Sequence, residues 1–365
     1  MGLSRELYQM VGGMAGGEYP DFVVKDGLGD EIPAFTYHRV DKENFEEQLR
    51  HLKRNGYETL NSEQLGRALS SVEAVPKRVV VLTFDDGLDD LYSVVFPLLR
   101  SYGFQGVAFI APHWVGGEGI VDWQQVREMH RSGVLDFQAH SYTHGRIPIS
   151  PEIVDFFHPE FSFYRRWELP FTETRSEASP NSLPAWGMPL CPSASCLSEK
   201  RRYLGNPSLE KFCIDYVKKQ GGEEFFKVSL WRRKLKRVVR DYLESNPHTE
   251  GYETKEEQEG RIRQEIALSK KVIEERLAGK KVVSFSYPYH ERGEIADRVL
   301  RESGYQIVFG GIGRDERFDS GNGSLTYIRR VSGDFVLRLP GGGRSSLLRL
   351  YLSKGLRRMK RGPMY

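Results

Sequence analysis

The sequence predicts an α/β protein built on a parallel sheet, open or closed into a barrel, and three observations predict it. Short β-branched apolar runs alternate with amphipathic stretches along the chain, the composition supports a sizeable core, and acidic and imidazole side chains recur at the ends of the apolar runs. The 365 residues are 39% hydrophobic and 28% charged, which suits one large domain or two modest ones.

KRVVVLTF, residues 77–84, opens the alternation. It is continuous and β-branched, as a strand buried on both faces should be, and DDLYSVVFPLLRSYG after it starts acidic and ends on glycine like a helix. GVAFIAP (106–112) follows, then DWQQVREMHRSG before VLDFQAH (134–140). The same order returns in GRIRQEIALSKKVIEERLAGK before KVVSFSYPY (281–289), and in GEIADRVLRESGY before QIVFGG (306–311). Residues 150–259 break the rhythm with a Pro-, Ser- and aromatic-rich stretch and the basic run WRRKLKRVVRDYL. We read them as an insertion, a packed subdomain or lid rather than a linker, because Trp167, Trp186, Phe225, Phe226 and Trp231 can supply a core. Residues 1–29 read as an N-terminal extension and 30–343 as the interrupted main domain.

Charge and cysteine usage narrow the function. The formal charge of +3 conceals seven Lys or Arg and no acid within residues 344–361, so the body of the chain is net acidic and does not resemble a nucleic-acid binder. Cys191, Cys196 and Cys213 form no CxxC spacing and suggest no disulfide framework, which favours a reducing compartment. No signal-like or membrane-spanning run is present, so the expected setting is cytoplasmic, with the inner face of a membrane as a variant. That variant comes from the basic tail, 344–365, where Leu348, Leu352, Leu356 and Met359 fall at helical spacing among cations. The plainer reading is a last helix packed on the domain, and Gly355 weakens any helix there.

Chemistry-bearing residues collect where strands end. Asp85 and Asp86 follow the first strand, His140 closes VLDFQAH with His144 four residues on, and Tyr287, Tyr289 and His290 tip the KVVSFSYPY strand. In a parallel barrel these ends form one open mouth. Residues four apart are roughly 13 Å apart in a strand, too far to share an ion, so the chain must coil directly after His140 if both imidazoles bind one. Two imidazoles and one carboxylate leave an open position on zinc, as a catalytic site requires. Only one of the adjacent aspartates is then needed as a ligand, and the other can serve as general base. Asp85 and Asp86 as a mere helix cap, or the histidines as unconnected surface residues, are the competing readings.

TFDDG (83–87), HSYTH (140–144) and the SYPY tip (286–289) resemble, in order, three motifs of the NodB-type polysaccharide deacetylases, carbohydrate esterase family 4. FTYHRV (35–40) and FEEQLRHLKRNGYETL (45–60) resemble the opening of the branch that contains biofilm-glycan N-deacetylases. The resemblance covers roughly 30–150 and 255–335. It implies a distorted (β/α) barrel of about seven parallel strands, with the large insertion between the second and third motifs. It also implies one divalent ion, usually Zn2+, bound by Asp86, His140 and His144, with Asp85 as base and the Tyr289 N–H in the oxyanion hole. The usual arginine of the third motif is absent at Ser286, and the glycine after the aromatic is His290. No late Leu-x-His motif supplies a general acid, and the branch resemblance offers His38 in its place.

The function expected is therefore metal-dependent removal of N-acetyl groups from a carbohydrate, lipid-linked or nucleotide-linked, during glycan biosynthesis. The alternatives are a catalytically impaired glycan-binding or scaffold protein and a deacylase of another acyl group such as formyl.

Overall fold

The structure is a computed structural model that describes residues 19–25, 27–29, 31–70, 77–161, 169, 183–247, 251–311 and 325–361. Trp167 and most of the N-terminal extension lie outside the described residues. By contacts the chain divides into two units. One is Met1–Tyr142 with Ile266–His290 and Arg298–Tyr365, and the other is Thr143–Glu265 with Glu291–Asp297.

The first unit is a parallel barrel. Its elements run β1 (Ala34–Tyr37), α1 (Lys42–Arg54), β2 (Glu58–Thr59), α2 (Ser62–Ser70), β3 (Val79–Phe84), α3 (Phe96–Tyr102), β4 (Gly106–Ile110), α4 (Trp123–Arg131) and β5 (Leu135–Ala139). Sheet order is β3 beside β1 on one side and β4 on the other, with β5 beyond β4 and the small β2 paired to β3. After the second unit come β10 (Ser284–Ser286), β11 (Ile307–Gly310), β12 (Thr326–Arg329) and β13 (Val331–Ser332). The hydrogen-bonded path ends with β12 on β11 at one side and β13 on β1 at the other. These two strands are one stretch of chain interrupted at Arg330, so the same segment closes the sheet on itself, and the expected parallel barrel is present. This closing stretch did not emerge from the apolar periodicity, because LTYIRRVS alternates polar and apolar residues instead of running continuously apolar.

The alternation along the strands decides what fills the barrel. Val79 and Val81 of β3, Val107 and Phe109 of β4, Ile307 and Phe309 of β11 and Ile328 of β12 share one apolar cluster with Ala34 and Leu65. Residues two apart face the same side of a strand, so Thr83 and Asp85 continue the inward column of β3, and Arg330 continues that of Ile328. Gln138 helps tie β5 to β10, its side-chain oxygen accepting from Val283 N at 3.0 Å and Ser284 N at 2.9 Å.

The second unit holds its own core. It comprises β6 (Arg146–Pro148), β7 (Asp155–Phe156), β8 (Pro189–Leu190), β9 (Ser193–Ser195), α5 (Pro207–Lys219), α6 (Trp231–Ser245) and the first half of α7 (Lys255–Arg276), with β6 paired antiparallel to β9 and β7 to β8. Phe156, Leu209, Cys213, Val217, Phe225, Trp231, Leu235 and Val239 form one apolar cluster, so this stretch is packed rather than linker-like. The cysteines are free, and burial pushes the Cys213 thiol up to about 12.

Two further helices belong to the sequence's later half: α8 (Glu294–Glu302) and α9 (Leu347–Arg361). α9 continues through Gly355. Among the described residues no helix is long and apolar enough to cross a membrane.

Candidate active site

The barrel's strands deliver their next residues to one end. The ladder extends past them: Asp85 N–H donates to Tyr37 O at 2.9 Å, and His140 N–H to Ile110 O at 3.0 Å. His38, Asp85, Asp86, His140 and Tyr287 are thus fixed just beyond β1, β3, β5 and β10. Among the described residues seven non-glycine positions have positive φ, and five of them belong to these motifs: Asp86, Ser141, His144, Tyr289 and His290. Left-handed backbone is costly for residues with a Cβ and concentrates where function needs a fixed turn. The coil expected after His140 is made in this way, by φ of 61° at Ser141 and 51° at His144 rather than by a helical turn. Thr143 clamps that turn, since its N–H and hydroxyl donate to the two carboxylate oxygens of Glu265 at 2.9 and 2.7 Å.

The arrangement gathers Asp86, His140 and His144, all buried, with one ligand atom from each lying within 4.8 Å of the others. That donor set, one carboxylate and two imidazoles, fits a divalent cation that prefers N and O ligands. His140 is oriented for the task. Its Nδ1 lies 2.7 Å from the Ser286 carbonyl, which can only accept, so Nδ1 carries the proton and Nε2 is left facing Asp86 Oδ1 at 3.5 Å. Burial alone would depress the His140 pKa, but Asp85 and Asp86 outweigh it and hold it above the ordinary imidazole value.

Asp85 is held differently. Arg330, fully buried at the break between β12 and β13, donates from Nη1 to Asp85 Oδ1 at 2.7 Å and from Nη2 to Oδ2 at 2.8 Å. The same guanidinium donates to Thr83 Oγ1 at 2.9 Å and Ser286 Oγ at 2.7 Å, and stacks within 6 Å of Phe109 and Phe309. Burial would raise the Asp85 pKa, yet Arg330, then His140 and His38, pull it down to about 2. Both Asp85 oxygens are committed to Arg330, and Asp86 is the aspartate in the ligand cluster. The sequence reading looked for an arginine near Ser286 and missed this one. It is 245 residues from its partner, and its one local signal is an inward-parity cation following Ile328.

The remaining candidates sit around this pair. His38 is exposed and close enough for its charge to act on Asp85 and His290. Tyr289 and His290 turn left-handed, at φ of 59° and 57°. His290 reaches solvent, but its ring lies against Gly311, where an added Cβ would be 3.3 Å from Cγ. Desolvation in that crowded rim, reinforced by Arg330, lowers its pKa to about 4.

Comparison with known proteins agrees with this geometry. Residues 73–156 match the family model for polysaccharide deacetylase. The poly-beta-1,6-N-acetyl-D-glucosamine N-deacetylase of Escherichia coli (strain K12) is 31% identical over 128 residues, covering 31% of this chain and 19% of that protein. Matches to curated relatives span less than half of those proteins' own lengths. Two solved structures share the fold at 18% identity. The de-N-acetylase of Aggregatibacter actinomycetemcomitans has a TM-score of 0.52 over 88% of this chain and 98% of that one. The BpsB deacetylase domain of Bordetella bronchiseptica has a TM-score of 0.51 over 84% and 97%.

Proposed function

We propose that this chain, whose residues 73–156 match the polysaccharide deacetylase family model, is a metal-dependent carbohydrate N-deacetylase. The observation that carries the reading is the buried Asp86, His140 and His144 cluster beside an Asp85 kept ionised by Arg330. A divalent ion bound there, Zn2+ in our proposal, would supply Lewis acidity toward water and the acetamide carbonyl.

The chain's own residues account for the rest. Water adds to the acetamide carbon, the C–N bond breaks, and acetate and a free amine leave. Asp85, with a pKa near 2, is available as an anion at any working pH and takes the proton lost by the attacking water. Being a weak base, it depends on that water being acidified. The Tyr289 N–H, in the left-handed turn after β10, is the proposed oxyanion donor. A departing amine needs a proton, and His38 at the rim is the proposed acid. His290, held near 4, is neutral at physiological pH and a poor competitor for that role.

The substrate proposed is an N-acetylated amino sugar in glycan assembly, on a lipid or nucleotide carrier, and the Escherichia coli relative named above makes poly-N-acetylglucosamine the first polymer to try. A cytoplasmic setting is part of the proposal, supported by three free thiols. Incubating the metal-loaded protein with N-acetylated oligosaccharides, lipid-linked sugars and nucleotide sugars, and assaying free acetate, tests the activity. Acetate released by wild type and not by Asp85→Asn supports it. Bound metal without acetate from any substrate would favour a glycan-binding scaffold, and formate from N-formyl analogues alone would change the acyl group.

A further inference from the structure

Among the described residues nothing covers one apolar face of α9. It docks on the barrel through Leu350, through Tyr351 against Phe335 with ring centroids 6.5 Å apart, and through Arg357, which bonds Asp334 and, at 3.1 Å, Asn44. Leu348, Leu352, Leu356 and Met359 take no part and are 70, 60, 58 and 84% exposed. Only five large apolar side chains among the described residues exceed 55%, and four of them are these. At 100° per residue they fall within about 80° of helix circumference, one continuous stripe. Scattered exposed leucines need no explanation, whereas a four-residue stripe on one helix does.

The surrounding charge says what could cover it. Residues 344–361 carry seven Lys or Arg and no acid; Arg357 is engaged in docking, and Arg349 beside the stripe is largely exposed, in a solvent-accessible pair with Glu47 at 3.3 Å. A second copy laid on this face would bring two such basic segments together. An anionic bilayer answers both features, taking the leucines into the headgroup and acyl boundary while its phosphates and carboxylates meet the cations. Position agrees. Asn44 is in the first turn of α1 after β1, and Asp334 follows β13, so both of Arg357's partners lie just past carboxyl ends of strands. The far half of α9 therefore reaches the rim of the barrel mouth.

We propose that α9 is a membrane-docking surface that lays its Leu348, Leu352, Leu356 and Met359 stripe into an anionic lipid interface. This stands independently of the deacetylase reading and would hold the mouth where carrier-linked substrates reside. The test is co-sedimentation of the full chain with phosphatidylcholine vesicles and with vesicles also containing phosphatidylserine, at low and high salt. Leu352→Ser/Leu356→Ser serves as the variant, with its Tm and its mass by light scattering measured in parallel. Because both side chains are exposed, the variant should melt within a few degrees of wild type. Expected are wild-type binding to the anionic vesicles only, weakened by salt, and a loss of about tenfold or more in the variant. Equal binding to neutral vesicles, or variant binding equal to wild type, would overturn the proposal. So would a wild-type dimer that the variant dissolves, which would assign the stripe to self-association. Retention on polyglutamate beads without vesicle binding would assign it to an acidic protein and overturn it likewise.

Discussion

Asp85 and Asp86 are neighbours in the chain with opposite circumstances. Asp85 points into the barrel column of Val79, Val81 and Thr83 and is gripped on both oxygens by Arg330, while Asp86, at φ 70°, turns toward the two imidazoles. Removing the cation leaves a buried carboxylate without its partner, so Arg330→Met should cost about 3 to 5 kcal/mol of stability by denaturant unfolding. Asp85→Asn/Arg330→Met should cost less than the two single changes added, because the residues form one unit. Asp85→Asn leaves Arg330 buried with one amide acceptor, so it should fold and hold metal at reduced stability while activity falls by about 10² to 10⁴, measured as acetate released. The candidate ligands were legible because TFDDG and HSYTH place them by local spacing. Arg330 was not, because its role exists only once β12 and β13 close the barrel.

Single elements carry the turns that hold these side chains. Gly87, at φ 70°, ends TFDDG, and a Cβ there would sit 2.9 Å from Ile110 Cγ2. Gly87→Ala should therefore destabilise by about 1 to 3 kcal/mol and weaken metal binding, read by thermal unfolding and metal titration. One loop further, Asp90 accepts from Val40 N–H at 2.6 Å, tying the segment after β3 to that after β1. Burial raises its pKa to about 6. A carboxyl that is harder to ionise when folded contributes stability below about pH 4, and that contribution is lost as pH rises through 6. Unfolding free energy should show this decline, on the order of 1 to 3 kcal/mol, in wild type and much less of it in Asp90→Asn. The continuous apolar strands β3, β4 and β11 were readable from sequence because both faces are buried, whereas β5, LDFQA, was readable from its place in the strand–helix alternation. The β10 strand proved shorter than its apolar run, and the closing stretch around Arg330 escaped because a barrel strand carrying a functional cation breaks the apolar pattern.

For the molecule as a whole, closure is the step that joins sequence to site. Seven parallel stations around the barrel put β1, β3, β5 and β10 in register at one end, and the last of them brings the arginine that grips Asp85. The interrupting 150–259 stretch was visible as a change of composition, but its antiparallel pairs and aromatic core depend on contacts that no local period encodes. In the function proposed, the mouth holds one divalent ion through Asp86, His140 and His144, with Asp85 kept apart for proton transfer. Elemental analysis of metal-loaded, desalted protein tests it most directly. Wild type and Asp85→Asn should each carry about one ion per chain, as a single three-ligand site requires, and His140→Ala and His144→Ala should carry almost none. Equal metal in all four proteins, or its loss in Asp85→Asn with retention in the histidine variants, would contradict the claim.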